Sequence, residues 1–182
     1  SSVPSAEFVD GVDQQLPLDD LDAFVQGLDG VVRQYPHWLL REDPAGVLES
    51  AAQIEALIAR ENARGIPDSH IVLAGFSQGG AIALHTALRH PRRLAGILAM
   101  STYLPLADTL AAEASPANRD VPIFMAHGRG DPVIPYDFGK RSGDFLTTSG
   151  YPLEWHSYPM EHSLCLEEIR DIEGWLTRVL AA

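Results

Sequence analysis

The sequence predicts an α/β fold with a mostly parallel sheet flanked by helices, and three observations support this. Short apolar runs alternate along the chain with longer segments of helical periodicity, a pattern typical of βαβ units. One apolar run leads through a tight, glycine-flanked turn straight into a helical segment. The chain has 182 residues, of which 46% are hydrophobic, and this is enough for a proper core. We therefore expect residues 1–182 to form a single domain.

The N-terminal segment, residues 1–41, has the least regular pattern. Residues 1–17 are predicted to be extended or irregular. A helix is predicted next, since Asp19 and Asp20 suit a helix start and apolar residues recur after them at helical spacing. These apolar residues are Leu21, Phe24, Val25, Leu28, Val31 and Val32.

The remaining elements follow from clearer patterns. Helical spacing of apolar residues predicts a helix at 45–64, with Gly65 at its C-terminal end and Pro67 shortly after. Compact apolar runs predict strands, and periodic segments between them predict helices. In order, these are a strand at 71–74, a helix at 81–90 that Pro91 stops, strands at 95–100 and 121–126, a helix at 137–148, an edge-like strand at 153–158 and a helix at 166–180.

Composition narrows the classes of function. Thirteen basic against 25 acidic residues give a net charge of −12, which argues against binding nucleic acid or an anionic membrane surface. No apolar run reaches the roughly 20 residues that cross a bilayer, and the first residues lack a signal-peptide pattern. The single cysteine, Cys165, cannot form an intrachain disulfide. We expect a cytoplasmic protein without membrane insertion.

The segment Gly75-Phe76-Ser77-Gln78-Gly79-Gly80 predicts a catalytic serine. A strand that turns sharply into a helix exposes the hydroxyl at its tip, and the cramped backbone requires nearly side-chain-free positions two residues before and after it. Gly75 and Gly79 hold those positions. Ser77 is therefore a candidate nucleophile for the hydrolysis of an ester. The alternative is an ordinary strand-to-helix turn that happens to contain a serine.

A serine hydroxyl needs a base to remove its proton, and an acid must hold that base in the right tautomer. Because functional groups gather beyond the carboxyl ends of parallel strands, the partners should follow later strands. Asp131 follows the predicted strand 121–126, and His162 follows the strand 153–158. Asp137 and Asp144 are alternative acids, but both fall inside a predicted helix.

The other histidines are assigned structural positions. We expect His85 and His90 to be surface or cap residues of the helix after Ser77, and His37 and His70 to flank the starts of a helix and a strand. His127 begins the loop that carries Asp131, and we expect it to form a structural hydrogen bond.

A metal site is the alternative use of residues near the C-terminus. His156, His162 and Cys165 could supply ligands, but no fourth ligand has a suitable spacing. We therefore expect no metal, and interpret Cys165 as a small residue at the start of the last helix.

Four motifs in register resemble the phospholipase/carboxylesterase family, which includes acyl-protein thioesterases. They are Gly75-Phe76-Ser77-Gln78-Gly79-Gly80, Leu98-Ala99-Met100-Ser101-Thr102-Tyr103-Leu104-Pro105, His127-Gly128-x-x-Asp131-Pro132-Val133-Ile134-Pro135 and Tyr158-Pro159-Met160-Glu161-His162. The resemblance covers residues 42–182 and implies an α/β-hydrolase fold. It also implies a Ser77, Asp131 and His162 triad that needs no metal or organic cofactor.

The resemblance extends to the substrate site. It implies that the backbone N–H of Gln78 stabilises the oxyanion and that Leu104 and Met160 lie in the neighbourhoods that line the acyl pocket. The chain departs from the family pattern in lacking the His-Gly-Leu-Gly-like loop that supplies a second oxyanion donor. We expect a backbone N–H of the N-terminal region, or of a neighbouring subunit, to take that position.

About 40 residues precede the matching region, too few for the four strands with which the family's chains open. The resemblance therefore implies a reduced number of strands, with strand 71–74 at an apolar sheet edge. The N-terminal segment could fold back over that edge, two subunits could pair there, or the chain could be a truncated product. Of these we favour a homo-oligomer that covers the edge.

The function predicted is a serine carboxylesterase that hydrolyses small to medium acyl esters through an acyl-enzyme intermediate. An acyl-thioesterase or a lysophospholipase is the alternative within the same chemistry. The alternative from another class is a non-catalytic α/β-hydrolase remnant used for binding or assembly.

Overall fold

The computed structural model describes residues 43–181, which form a parallel sheet with helices packed on both faces. Two short 3-10 turns, Asp68–His70 and Pro116–Asn118, lie in the connections. In chain order, the elements are α1 (Pro44–Ala63), β1 (Val72–Phe76), α2 (Gln78–Arg89), β2 (Gly96–Met100), α3 (Leu110–Glu113), β3 (Ile123–Gly128), α4 (Tyr136–Thr148), β4 (Leu153–Tyr158) and α5 (Leu166–Leu180).

The four strands lie in chain order, β1-β2-β3-β4, and each pair of neighbours is parallel. Each strand is joined to the next by a crossover that contains a helix, as parallel pairing requires. The carboxyl ends of all four strands therefore lie at one edge of the fold. The predicted α/β class, with a parallel sheet and few strands, is confirmed for this part of the chain.

Side chains alternate between the two faces of the sheet and build two apolar clusters. On one face, Ile97, Ile123 and Met125 pack with side chains of α2, α3 and α4. On the other face, Leu98 and Phe124 pack with α5, together with residues such as Trp175. β2 and β3, buried from both sides, are apolar at nearly every position, whereas β4 at the edge alternates more.

The elements predicted within residues 43–181 are present, and their bounds shift for local reasons. α1 begins at Pro44 because Asp43 accepts a hydrogen bond from the Ala45 N–H at 3.2 Å, and Gly65 follows the helix with a φ of 94°. β3 begins at Ile123 instead of position 121 and continues through Gly128. α2 begins at Gln78, three residues earlier than predicted. The short helix α3 was not predicted, since its four residues show no periodicity.

The prediction of a surface or cap position is wrong for His85, which is buried, and His90 is buried as well. His90 does cap α2, but its Nδ1 atom lies 2.9 Å from Glu55 of α1 and its Nε2 atom lies 2.7 Å from Asp68. These contacts tie α1 and the loop before β1 to the end of α2. α1 and α3 pack against α2, and this packing covers a face of α2 that the sequence pattern did not predict to be buried. His70 is exposed, at the end of a turn that precedes β1.

β1 pairs with β2 and with no other strand in the part of the chain that the structure describes. Ala74, in the middle of β1, is exposed there. The helix predicted near residues 19–32 and the irregular segment 1–17 lie outside the described residues. The covering of this edge by a second copy or by the N-terminal segment therefore stays a prediction. Within residues 43–181, no helix is both long and apolar enough to cross a bilayer.

Candidate active site

Ser77 occupies the single residue between β1 and α2. Its backbone adopts φ 55° and ψ −124°, a conformation that is costly for a residue with a side chain. Two backbone hydrogen bonds hold it there. The Ser77 N–H donates to Met100 of β2 at 2.8 Å, and the Ser77 carbonyl accepts from Ala81 at 3.2 Å. The strained turn thus presents the hydroxyl at the carboxyl edge of the sheet.

The prediction for the glycines around Ser77 is confirmed at Gly75 and wrong at Gly79. A Cβ on Gly75 would lie 2.2 Å from the carbonyl carbon of Gly79, so Gly75 must lack a side chain. A Cβ on Gly79 would meet nothing within 4 Å among the described residues. The second crowded position is Gly80, where a Cβ would lie 2.8 Å from Thr102. The prediction that position 79 must be side-chain-free is wrong within residues 43–181, because the tight contact is made by its backbone.

Asp131 lies in the loop after β3, with its side chain fully buried. The backbone N–H groups of Val133 and Ile134 donate to its Oδ1 atom at 2.8 and 2.9 Å. Burial of this carboxyl would raise its pKa, but the ring N–H groups of His127 and His162 and the amide of Ile134 outweigh that effect and hold the pKa well below its usual range. Asp131 is therefore ionised at neutral pH.

His162 lies in the loop between β4 and α5 and joins the other two predicted residues. Its Nδ1 atom is 2.6 Å from Asp131 Oδ2, and its Nε2 atom is 3.0 Å from Ser77 Oγ. The imidazole ring is buried and packs against the ring of Phe76, with the ring centroids 4.7 Å apart. The structure thus places His162 within hydrogen-bonding reach of both Ser77 and Asp131.

The carboxylate fixes the tautomer of this imidazole. Because ionised Asp131 can only accept, the Nδ1 atom of His162 carries the proton, and the Nε2 atom is left to accept from the Ser77 hydroxyl. A base held in this orientation can remove the hydroxyl proton when Ser77 attacks a carbonyl carbon. Asp137 and Asp144, the alternative acids, are exposed on α4.

The predicted oxyanion and pocket residues lie in three different settings. Gln78 is the first residue of α2, so its N–H belongs to the helix terminus whose amides have no partner within the helix. Leu104 is buried in the cluster that contains Ile123, and its N–H donates to Ser142 at 2.9 Å. Met160 is half-buried against the cluster of the opposite face. Their roles in binding a substrate stay predictions.

Two residues near the triad received no role in the sequence interpretation. Phe76 packs on the base, and Gly80 lets α2 approach the loop after β2. Both belong to the glycine-rich motif around Ser77, and this motif was the sequence signal that could have identified them. The alternative metal cluster of His156, His162 and Cys165 is not found, since no group of three or more His, Cys, Asp or Glu residues within 43–181 could hold a metal ion. Cys165 lies immediately before α5, at the start of that helix as predicted.

Comparison with known proteins relates the chain to one described family and to several named relatives. The profile of the Phospholipase/Carboxylesterase family matches residues 32–180, so the similarity begins ten residues before position 42. An acyl-protein thioesterase 1 from Mycosarcoma maydis is 43% identical over 154 residues, covering 78% of this chain and 64% of that protein. A probable carboxylesterase from Oryza sativa is 36% identical over 142 residues, covering 78% of this chain and 53% of that protein.

Comparison with solved structures also finds similar proteins. The crystal structure of SOBER1 from Arabidopsis thaliana matches with a TM-score of 0.73 and 29% identity, covering 77% of this chain and 67% of that one. The chain thus spans less than two thirds of the length of the curated relatives it matches.

Proposed function

Since the chain belongs to the phospholipase/carboxylesterase family, we propose that it hydrolyses carboxylic esters of small to medium acyl groups, with Ser77 as the nucleophile. The observation that carries this proposal is the continuous chain of contacts from Ser77 through His162 to Asp131, at 3.0 and 2.6 Å. The three residues come from three separate loops at the carboxyl edge of the sheet. Their convergence is the geometry that serine hydrolysis needs.

The reaction follows from this geometry in two halves. His162 Nε2 takes the hydroxyl proton as Ser77 Oγ bonds to the carbonyl carbon, and the same proton then passes to the leaving alcohol as the ester C–O bond breaks. In the second half, His162 takes a proton from water, and the hydroxide attacks the acyl-enzyme. The proton returns to Ser77 Oγ, and the carboxylic acid leaves. Asp131 stays ionised and stabilises the imidazolium that forms in each half.

The oxyanion of each tetrahedral intermediate needs N–H donors. The backbone N–H of Gln78 is the first donor in this proposal, because it begins α2 immediately after the nucleophile. A second donor comes from the N-terminal region or from a neighbouring copy. Loss of one such donor lowers kcat by about 10² to 10³-fold. The presence of the second donor therefore determines whether turnover is fast or slow.

An acyl-thioesterase is the second candidate, and one comparison favours it. The Mycosarcoma maydis relative, at 43% identity, is named an acyl-protein thioesterase. Ser77 and His162 would attack a thioester carbonyl in the same way, with a thiol as the leaving group. A lysophospholipase would again use the same three residues. No step of this chemistry requires a metal or an organic cofactor.

The test compares oxyester and thioester substrates that carry the same acyl group. We expect purified protein to hydrolyse p-nitrophenyl esters of short and medium acyl chains, and Ser77→Ala to abolish this. Ser69→Ala, which changes an exposed serine outside the site, is the matched control. A kcat/KM that is higher on the thioester would select the second candidate. Full hydrolysis by Ser77→Ala would refute both.

A further inference from the structure

His127 is a buried histidine next to the proposed acid. It lies near the end of β3, and its side chain is fully buried. Its Nε2 atom is 2.9 Å from the carbonyl oxygen of Ile134 and 3.4 Å from Asp131 Oδ2. Both neighbours are oxygen acceptors, so Nε2 carries a proton. The shorter contact is the hydrogen bond, and the longer one adds electrostatic attraction.

These contacts close a ring of interactions around the acid. Ile134 accepts from His127 through its carbonyl and donates through its N–H to Asp131 Oδ1 at 2.9 Å. Asp131 Oδ2 then faces both His127 and the Nδ1 atom of His162. His127 therefore acts on the carboxylate directly, and also through the loop that carries it.

The ring of His127 has little freedom to move. A Cβ on Gly139 of α4 would lie 2.3 Å from its Nδ1 atom, so α4 packs directly against the ring. Trp155 of β4 stacks alongside it, and Tyr136 meets it edge-on, with ring centroids 6.4 and 6.0 Å away. A donor held this rigidly keeps its acceptor in one place at little entropic cost.

We propose that His127 is a positioning residue of this site, which aims the Asp131 carboxylate at His162 through the Nε2–H group. The inference rests on the proposed function of Ser77, Asp131 and His162. His127 touches no reacting atom, and its effect reaches Ser77 through the acid and the base. The low pKa of Asp131 agrees with this, since the His127 contact helps to keep that carboxyl ionised despite its burial.

Two polar substitutions of His127 test the Nε2 donor separately from the rest of the ring. The side-chain amide of His127→Gln reaches the position of Nε2 and restores an N–H there. The amide of His127→Asn reaches the position of Nδ1 and leaves the Ile134 carbonyl and Asp131 Oδ2 without a donor. His85→Asn is the matched control, because His85 is a buried histidine on α2 without a partner for Nδ1 within residues 43–181.

The expected result is a loss in kcat/KM of about 10- to 100-fold for His127→Asn, because the Ile134 carbonyl loses its hydrogen bond and the buried carboxylate loses a nearby N–H group. The acid limb of its pH–rate profile should move to higher pH, because a carboxylate that has lost a donor is a stronger acceptor for the proton that the base carries. We expect His127→Gln to recover most of the rate. His85→Asn should lower the melting temperature without changing the pH profile.

The far-downfield proton resonance of His162 Nδ1–H, assigned by its loss in His162→Ala, gives a readout that does not need turnover. It should shift in His127→Asn and stay in place in His127→Gln and His85→Asn. An unchanged resonance with an unchanged rate in His127→Asn would overturn the inference, as would parallel losses in all three variants. If wild-type protein hydrolyses no ester, the proposed function fails, and the resonance still tests His127.

Discussion

The backbone of Gly79 occupies the space that a side chain on Gly75 would need, with 2.2 Å between the carbonyl carbon of Gly79 and a Cβ placed on Gly75. β1 and the first turn of α2 are therefore in direct backbone contact. This contact forces the sharp reversal at Ser77 and its positive φ of 55°. The position of the hydroxyl is thus a consequence of how tightly a strand and a helix pack.

Replacement of Gly75 by alanine should prevent this packing. A Cβ at 2.2 Å from a backbone atom cannot be relieved by a rotamer change, so we expect Gly75→Ala to lower the free energy of unfolding by at least about 3 kcal/mol. Gly79→Ala is the control, and we expect a change within about 1 kcal/mol. Urea denaturation measures both. Equal losses in the two variants would contradict this account of the turn.

Replacement of Asp131 by asparagine tests the acid. The amide can donate to His162 and favour the wrong tautomer, so we expect kcat to fall by about 10⁴-fold, as in other Ser-His-Asp triads. Asp137→Asn changes an exposed acid on α4 and should leave kcat unchanged. Steady-state hydrolysis of a p-nitrophenyl ester measures both. If Asp137→Asn gave the larger loss, the assignment of the acid would be wrong.

Glu168 is a fully buried carboxyl on α5, and neither of its oxygens meets hydrogen-bond geometry with another described residue. Burial raises its pKa to about 8, which the nearby Cys165 amide opposes and Asp171 reinforces. Between the usual pKa of 4.5 and about 8, the unfolded chain is ionised while the folded chain keeps the proton. The folded state is therefore progressively penalised as pH rises through this window.

Glu168→Gln should remove that penalty. Relative to the wild type, we expect its free energy of unfolding to increase from pH 5 to pH 8, by about 1.4 kcal/mol per pH unit at most. Above pH 8 the difference should level off. Glu167→Gln, at the exposed neighbouring position, should show no such trend. Urea denaturation at several pH values measures the free energy of unfolding of each variant. If it changed with pH in parallel for Glu168→Gln and the wild type, Glu168 would not be a buried, protonated acid.

The exposed edge of β1 predicts self-association. Ala74 is exposed, and β1 has a strand neighbour on one side within the described residues. We expect light scattering after size exclusion to report at least twice the chain mass of 19.8 kDa. Ala74→Lys should lower that mass, because a charged side chain disfavours edge pairing. A monomer at working concentration would count against the homo-oligomer.

Local sequence was sufficient for most of the architecture. The four strands and the helices α1, α2, α4 and α5 were predicted, because each has a distinct apolar period and clear stop signals such as Pro91. The spatial convergence of Ser77, Asp131 and His162 was predicted from their order and their positions after strands. In parallel sheets, that order translates directly into placement along one edge.

Other features depend on contacts between distant parts of the chain. His90 is buried because Glu55, 35 residues earlier, reaches its ring, and no local pattern reports such a contact. The crowding at Gly80 depends on Thr102 in the loop after β2, which a motif of six residues does not contain. The two clusters that hold Leu104 and Met160 lie on opposite faces of the sheet, a separation that strand spacing alone does not reveal.

Labelling with a fluorophosphonate probe tests the central claim most directly, because the probe reacts with a serine that a nearby base has activated. We expect wild-type protein to be labelled at Ser77, as read by peptide mass spectrometry, and Ser77→Ala and His162→Ala to resist labelling. A non-catalytic remnant would give a correctly folded protein that the probe leaves unmodified. Labelling at another serine, or undiminished labelling in His162→Ala, would contradict the proposed site.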